Sequence, residues 1–292
     1  MNALRAGAVI ASVGRPGLLA DVMTDLDAQD HPFARKVISV PDHASLPPDL
    51  KDWTSVVGTR GAAAQRNAGI EAIAGEVDVL FFFDDDAVVR SDYISQSLAV
   101  FERHPCAVAL TGRVLLDGAA HSAGEVSRER ALAALAHSTT EPLTGATVRG
   151  RTLYGCNFAF RHDRVPDIRF DDRLPLYSWL EDHDLARRLM HHGHLLSAHD
   201  CVVVHRGASS GGRTNHVRLG YSQLMNPVHL ARTGSFPLWL AAWEIFRPTV
   251  KNLAYAVVGD QASWRRQRVR GNALGVGDAL RGRITPERIL DL

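Results

Sequence analysis

The sequence predicts an α/β fold, a mostly parallel sheet flanked by helices, with a helical appendage at the C-terminal end. Three observations carry this prediction. Short apolar runs alternate with helix-spaced segments through the first half of the chain. Those runs, VDVLFFF (77–83) above all, show no polar alternation, which marks strands buried on both faces. Beyond residue 216 the pattern turns helical. At 292 residues the chain is also past the size at which a single core stops growing. The expected division is a sheet domain over 1–220 and a helical extension over 221–292.

The elements follow in order. GAVIASV (7–13) reads as the first strand and LLADVMTDLDAQ (18–29) as the first helix. KVISV (36–40) and TSVVG (54–58) are strands separated by the turn-rich PDHASLPPD. AAAQRNAGIEAIAG (62–75) is a helix ended by Gly75, and VDVLFFF is the strand after it. SDYISQSLAVFERHP (91–105) is a helix with Ser91 as N-cap and Pro105 beyond its end. AVALTGRVLL (107–116) is a strand, whereas 117–150 is rich in Ala, Ser and Thr and carries no clear period. TLYGCNFAFR (152–161) is strand-like, WLEDHDLARRLMHHG (179–193) is a helix stopped by Gly193, and CVVVH (201–205) is a strand. ASSGGRTNH (208–216) is a loop, and the helical remainder is expected to break at Pro227, Pro237 and Pro248.

Composition narrows the function classes. Hydrophobic content of 46% and charged content of 22% are those of a soluble globular protein. A net charge of +1 implies no nucleic-acid partner. The charge is uneven: ten Arg/Lys face five Asp/Glu from residue 231 onward, against 23 and 27 before it. Cys106, Cys156 and Cys201 are odd in number and widely spaced, so reduced thiols and a cytoplasmic location are expected. The first apolar run is too short for a signal peptide, and no uncharged run is long enough to span a bilayer.

LFFFDDDAVV (80–89) poses the central question, because four large apolar residues run directly into three aspartates. Ligands of open parallel sheets bind beyond the carboxyl ends of the strands. Carboxylates gathered there repel, and a divalent cation, Mg²⁺ or Mn²⁺, offsets them while sharing substrate phosphates. A solvated acidic turn is the competing reading.

Several motifs in order resemble family 2 glycosyltransferases of the GT-A fold, a Rossmann-like architecture. They are VIASVGRP (9–16), KVISVPD (36–42), GAAAQRNAGI (61–70), FFFDDDAVV (81–89), YGCNFAFR (154–161) and LPLYSWLEDHDLARRL (174–189). Within the resemblance, FFFDDDAVV looks like the DxD motif. It implies transfer of a sugar from a nucleotide-diphosphate donor, with a metal bridging the phosphates as a Lewis acid. Asp86 is the first choice of metal ligand, Asp84 meets the ribose or reaches the metal through water, and Asp85 is the third aspartate expected in the nucleotide-sugar site. Ser12 and Asp42 match nucleoside-binding positions. The first strand ends in Ser-Val-Gly rather than Thr-Tyr-Asn, and Pro41 precedes a single Asp42, so the base stays open, with uridine diphosphate the first choice of carrier and dTDP and GDP the alternatives. Arg66 approaches the phosphates or is a surface helical arginine. His205 ends CVVVH, where the family often places a metal-binding histidine.

The second acidic site lies in EDHDLARRL (181–189). Acidic residues in a first helical turn favour the helix dipole, which is the structural alternative. Inverting transfer needs a base for the acceptor hydroxyl, and Asp182 is the expected one, with Glu181 as alternative or acceptor-orienting residue. Trp179 shapes a sugar pocket, and Asn157 hydrogen-bonds a sugar hydroxyl or belongs to an ordinary buried strand. RGASSGGRTNHVR (206–218) reads as a lid in which Arg213 meets the diphosphate. Asp86→Ala is expected to leave the fold intact by relieving like-charge repulsion.

The acceptor implied by the resemblance is a glycan or a lipid-linked glycan of surface polysaccharide synthesis. FPLWLAAWEIF (236–246) and the four arginines of WRRQRVR (264–270) together suit peripheral contact with the inner face of the cell membrane. Packing on the catalytic domain and a homodimer interface are the other uses of that face. A nucleotidyltransferase is the rival enzyme, but it would want a Lys/Arg-bearing Gly-rich loop after the first strand, where GRPG has one Arg. A non-catalytic scaffold of the same fold would not need acidic residues at both 84–86 and 181–182.

Overall fold

The computed structural model describes residues 3–119, 124–208, 215–257 and 261–292. The chain folds as two compact units. The first takes residues up to 60, 65–169 and the described residues from 188 to 209, and the second takes 61–64, 170–187 and those from 210 onward.

The first unit is built on a sheet. Strands β1 (Ala6–Ala11), β2 (Arg35–Val40), β3 (Thr54–Val57) and β4 (Val79–Asp84) lie parallel in the order β3-β2-β1-β4. Helices α1 (Pro16–Asp27) and α2 (Ala62–Ile73) connect them; the first turn of α2 belongs to the second unit. Pro16 opens α1, where its missing N–H costs nothing. Beyond come β5 (Ala87–Val89), α3 (Tyr93–Arg103), β6 (Ala107–Asp117), α4 (Arg128–Ser138), β7 (Thr147–Gly150), β8 (Asn157–Arg161) and β9 (His194–His205). They extend the sheet as β4-β8-β6-β9-β5, with β7 beside β9. β6 and β9 are parallel; β8 is antiparallel to both its neighbours, and β5 and β7 run antiparallel to β9.

The unbroken apolar run of β4 is explained by its two covered faces. Phe81 and Phe83 enter the core with Tyr93 and Ile10, while Phe82 stacks on Phe158 and Phe160 at 4.9 and 5.5 Å. Phe82 and Phe158 are register partners, so the stack is a cross-strand pair.

Several local expectations are corrected. Asp92, not Ser91, occupies the N-cap of α3, and its carboxylate is taken by Arg90 at 2.5 Å. The segment 117–150 contains α4, capped by Ser127, and β7. The Ala-rich α4 buries only Ala131, Leu135 and Ser138, too few to print a helical period. The strand read over 152–161 begins at Asn157, and the helix read over 179–193 is α5 (Glu181–Leu189), four residues short of Gly193.

Gly112 in β6 marks a close approach. A Cβ there would lie 2.4 Å from the Cys201 carbonyl oxygen and 2.7 Å from the Tyr93 ring. Gly112→Ala is expected to cost about 3 kcal/mol through overpacking, read as a fall in the urea midpoint at unchanged slope.

The second unit is helical: α6 (His216–Arg232), α7 (Leu238–Ala254) and α8 (Ala262–Leu280). Gly220 and Gly271 let α6 and α8 touch at backbone distance. Pro237 caps α7 as a break, but Pro227 and Pro248 sit inside helices. Burial of α6 from Leu219 through Pro227 outweighs the lost hydrogen bond there. Of the four arginines in WRRQRVR, Arg265 and Arg268 are buried over the Trp264 ring, so that cluster offers only Arg266 and Arg270 outward. No helix among the described residues is long and apolar enough to cross a membrane.

Candidate active site

Strand register builds the first cluster. β4 ends at Asp84, and β5 begins at Ala87, leaving Asp85 and Asp86 in the turn between them. Ala87 is the register partner of His205 across β5 and β9, and Asp117 is its partner across β6 and β9. Three strand ends therefore converge on one imidazole. His205 Nε2 lies 3.4 Å from Asp86 Oδ1 and 3.9 Å from Asp84 Oδ2. One ligand atom each from Asp84, Asp86 and His205 falls within 4.8 Å of the others, the one such group among the described residues that could hold a metal ion.

Asp117 completes the cluster from behind. Its Oδ1 lies 2.9 Å from His205 Nδ1, and its Oδ2 accepts the Tyr154 hydroxyl at 2.6 Å. This engages Nδ1 and leaves Nε2 toward the two aspartates, the arrangement that orients a metal-ligating histidine. Burial would lower the His205 pKa, but Asp117, Asp86 and Asp84 outweigh it and push it up to about 10. Burial would raise Asp117, yet the His205 and Tyr154 hydrogen bonds bring it down to about 2.

Each aspartate has its own setting. Asp85 is buried; Ser12 Oγ donates to it at 2.5 Å, and Arg15 pairs with it at 2.5 Å. Burial pushes its carboxyl up to about 7 against those two partners. Asp86 receives the Ala208 amide at 2.8 Å and faces Arg15 at 3.7 Å. Burial opposes its ionisation, but His205 and Arg15 hold the carboxyl below the usual range. The Asp86 charge is thus favourable in this fold, which corrects the expectation that its removal relieves repulsion. Asp84 keeps about a third of its side chain exposed and pairs with Arg66 at 3.0 Å.

Arg66 is buried, donates to the Gly155 carbonyl at 3.0 Å and lies over the Phe158 ring, so the surface-arginine reading is corrected. Its neighbour Gln65 donates to the Ser12 and Ser39 carbonyls and ties the ends of β1 and β2. Asp42 is exposed and caps a 3-10 turn through Ser45 at 2.9 Å, while Ser45 accepts the Gly14 amide. Asn157 is fully buried; its Oδ1 accepts from Tyr93 Oη at 3.0 Å and from the Gly112 amide at 2.7 Å. Its amide joins β8 to β6 and α3. Arg213 and the centre of the expected lid lie outside the described residues.

Trp179, Glu181 and Asp182 belong to the second unit. The chain reaches them through three non-glycine residues at positive φ: Leu176 at 59°, Ser178 at 52° and Leu180 at 76°. Such left-handed conformations cost free energy and persist where surroundings impose them. Here Ser178 Oγ donates to the Leu174 carbonyl at 2.5 Å and accepts the Ala63 amide at 3.1 Å. Asn226 holds the Trp179 carbonyl at 2.8 Å, and the buried indole N–H of Trp179 makes no hydrogen bond within the described residues. Asp182 Oδ1 accepts the His183 amide at 2.8 Å, as a carboxylate does at a helix start, and Glu181 is buried.

Arg15, Asp117 and Tyr154 are the members of the first cluster that sequence reasoning did not assign. The one Arg of GRPG was a usable signal, since buried carboxylates need a cation nearby. Asp117 carried none, because its partner is 88 residues away and they meet only through sheet register.

Residues 7–210 match the family described as Glycosyltransferase like family 2. No curated protein matches the sequence. Among solved structures, the chain resembles the mannosyltransferase PcManGT from Pyrobaculum calidifontis in complex with GDP-Man and Mn²⁺. The TM-score is 0.56 at 14% identity, over 95% of this chain and 88% of that one. It also resembles S. aureus TarS 1–349 in complex with UDP-GlcNAc, with a TM-score of 0.58 at 12% identity, over 98% and 83% of the two chains. At such identities the likeness is one of fold, and it bears out the GT-A architecture with its C-terminal helices. The family match extends over most of the sheet unit and takes in the acidic strand end and His205, and with it the enzyme class is fixed: the chain belongs to glycosyltransferase family 2.

Proposed function

We propose that the protein is an inverting, metal-dependent glycosyltransferase that moves a sugar from a nucleoside-diphosphate donor to a hydroxyl of a glycan or lipid-linked acceptor in surface polysaccharide synthesis. The observation that carries this reading is the convergence of Asp84, Asp86 and His205 at strand ends. The donor set fits a divalent cation: two carboxylate oxygens and one imidazole nitrogen lie within 4.8 Å of one another, and Asp117 holds the imidazole from its far side. Asp86 and His205 would be the direct ligands, and Asp84 would join them or bind through water. A cation held there supplies Lewis-acid stabilisation of the departing diphosphate. Imidazole beside carboxylate favours Mn²⁺ over Mg²⁺, which prefers an all-oxygen shell.

The remaining roles belong to the chain's own residues. Ser12 and Asp42 are proposed to receive the nucleoside, with uridine as the first choice of base and thymidine and guanosine as alternatives. Asp85 stays paired with Arg15 and sets the Ser12 hydroxyl. Arg66 supports Asp84 from the protein side. Asn157 acts by fixing the strand before the site, not by meeting a hydroxyl. Arg213 is proposed to meet the diphosphate. Trp179 forms the sugar wall, and Asp182 takes the acceptor proton as the acceptor oxygen bonds the anomeric carbon. The bond from that carbon to the diphosphate oxygen breaks, and the nucleoside diphosphate leaves with the electron pair. Glu181 orients the acceptor or replaces Asp182 as base. A cytoplasmic location at the inner membrane face accords with a lipid-linked acceptor.

Thermal-shift measurements with UDP, GDP and dTDP test the reading, because a ligand specific for the native state raises Tm. One nucleotide is expected to raise Tm with Mn²⁺ and to fail without it. No shift with any of the three would reject the donor class.

Asp117→Asn probes the support behind His205. It is expected to weaken Mn²⁺ affinity 10- to 100-fold, measured by direct titration of the metal, while the melting transition stays cooperative.

A further inference from the structure

We propose that α7 lies in the plane of an anionic membrane surface, its aromatic face in the headgroup and acyl boundary. The inference stands on this helix alone and does not require the catalytic reading. A helix on a water-soluble surface turns its apolar side inward and its polar side outward. α7 departs from that order: Ala241 joins an inward apolar cluster with Leu230 and Phe236, but the large apolar side chains of the helix face outward. The buried positions are Ala241, Glu244 and Asn252. Asn252 donates to Gln223 at 2.9 Å and Asn272 at 3.1 Å and accepts from Arg265 at 2.8 Å, a polar network facing the protein. The outward positions are Trp239, Trp243, Phe246, Val250 and Leu253, exposed by 66, 50, 57, 45 and 53%. Their spacings of four, three, four and three place all five on one stripe.

Charge identifies the occupant. The exposed charges of α7 are Arg247 and Lys251, and both flank the stripe. Its one carboxylate, Glu244, is buried and accepts from Arg247 at 3.0 Å. Residues 233–257 therefore present aromatic and cationic groups with no exposed acid among them. Trp243 packs against Phe246 and under the Arg247 guanidinium, as amphipathic side chains do at an interface. A second copy of the same face would bring cations against cations, whereas anionic headgroups complement them. At 17 residues with internal charge, α7 cannot span the bilayer, so an in-plane seat is the arrangement that buries the stripe.

Flotation of the full-length protein on phosphatidylglycerol–phosphatidylcholine vesicles is the test. Binding is expected at low salt, weak binding to pure phosphatidylcholine, and loss of flotation for the triple variant Trp239→Ser, Trp243→Ser, Phe246→Ser at unchanged Tm. Arg247→Gln and Lys251→Gln should each lower partition about fivefold. Wild type that stays with the unbound protein, or a triple variant that floats as well as wild type, overturns the proposal. So does equal partition onto neutral vesicles. Sedimentation as a dimer that the triple variant dissolves would assign the face to a second copy and overturn it as well. Nucleotide binding measured on the same variants reports separately on the catalytic reading and is expected to be unchanged.

Discussion

Asp182→Asn is expected to retain donor affinity and to lose transfer by a factor on the order of 10²–10⁴. The carboxamide keeps the shape of the carboxylate and can still accept the His183 amide that Asp182 Oδ1 receives at 2.8 Å. What it cannot do is take a proton from the acceptor hydroxyl. The effect should therefore fall on kcat, with the dissociation constant of the nucleoside diphosphate unaltered. Glu181→Gln serves as the comparison. If Asp182→Asn turns over at the wild-type rate and Glu181→Gln does not, the base is Glu181.

Asp86→Asn carries the second large effect. In the native protein the Asp86 carboxylate is buried among His205 at 3.4 Å, Arg15 at 3.7 Å and the Ala208 amide at 2.8 Å. Its pKa lies below that of an unfolded aspartate, although burial opposes this. A depressed carboxyl contributes stability that is present above the unfolded pKa and is lost as pH falls through the folded one. Neutralising it weakens the hold on His205 and Arg15, which keep Asp117 and Asp85 as partners, at a cost of about 2 kcal/mol. The variant should melt lower than wild type at pH 7, with the gap closing in acid. It should also fail to quench the electron-paramagnetic signal of free Mn²⁺. An equal Mn²⁺ affinity in both proteins would remove Asp86 from the ligand set.

The legible parts of the fold were those with strong local signals. β4 announced itself because both faces of the strand are covered, so Phe81, Phe82 and Phe83 run without a polar break into Asp84. His205 was legible as the last residue of a similar run, CVVVH. What stayed hidden depends on partners distant in the chain. The antiparallel insertion of β8 between β4 and β6 has no local mark, since its NFAFR reads alike in either direction. The prolines at 227 and 248 misled because propensity is local; at Pro227 the burial that carries α6 past it is tertiary. In the candidate site, the residue types were readable but their pairings were not. Arg66 read as a surface or phosphate-facing residue, yet it is buried against Asp84 and Phe158.

Calorimetric titration of the nucleoside diphosphate selected by thermal shift, with and without Mn²⁺, tests the central claim most directly. The account predicts one site per chain, binding that requires the metal in wild type, and its loss in Asp86→Asn. Equal affinity in the presence and absence of Mn²⁺ would contradict it, because the Asp84–Asp86–His205 cluster would then have no part in holding the donor.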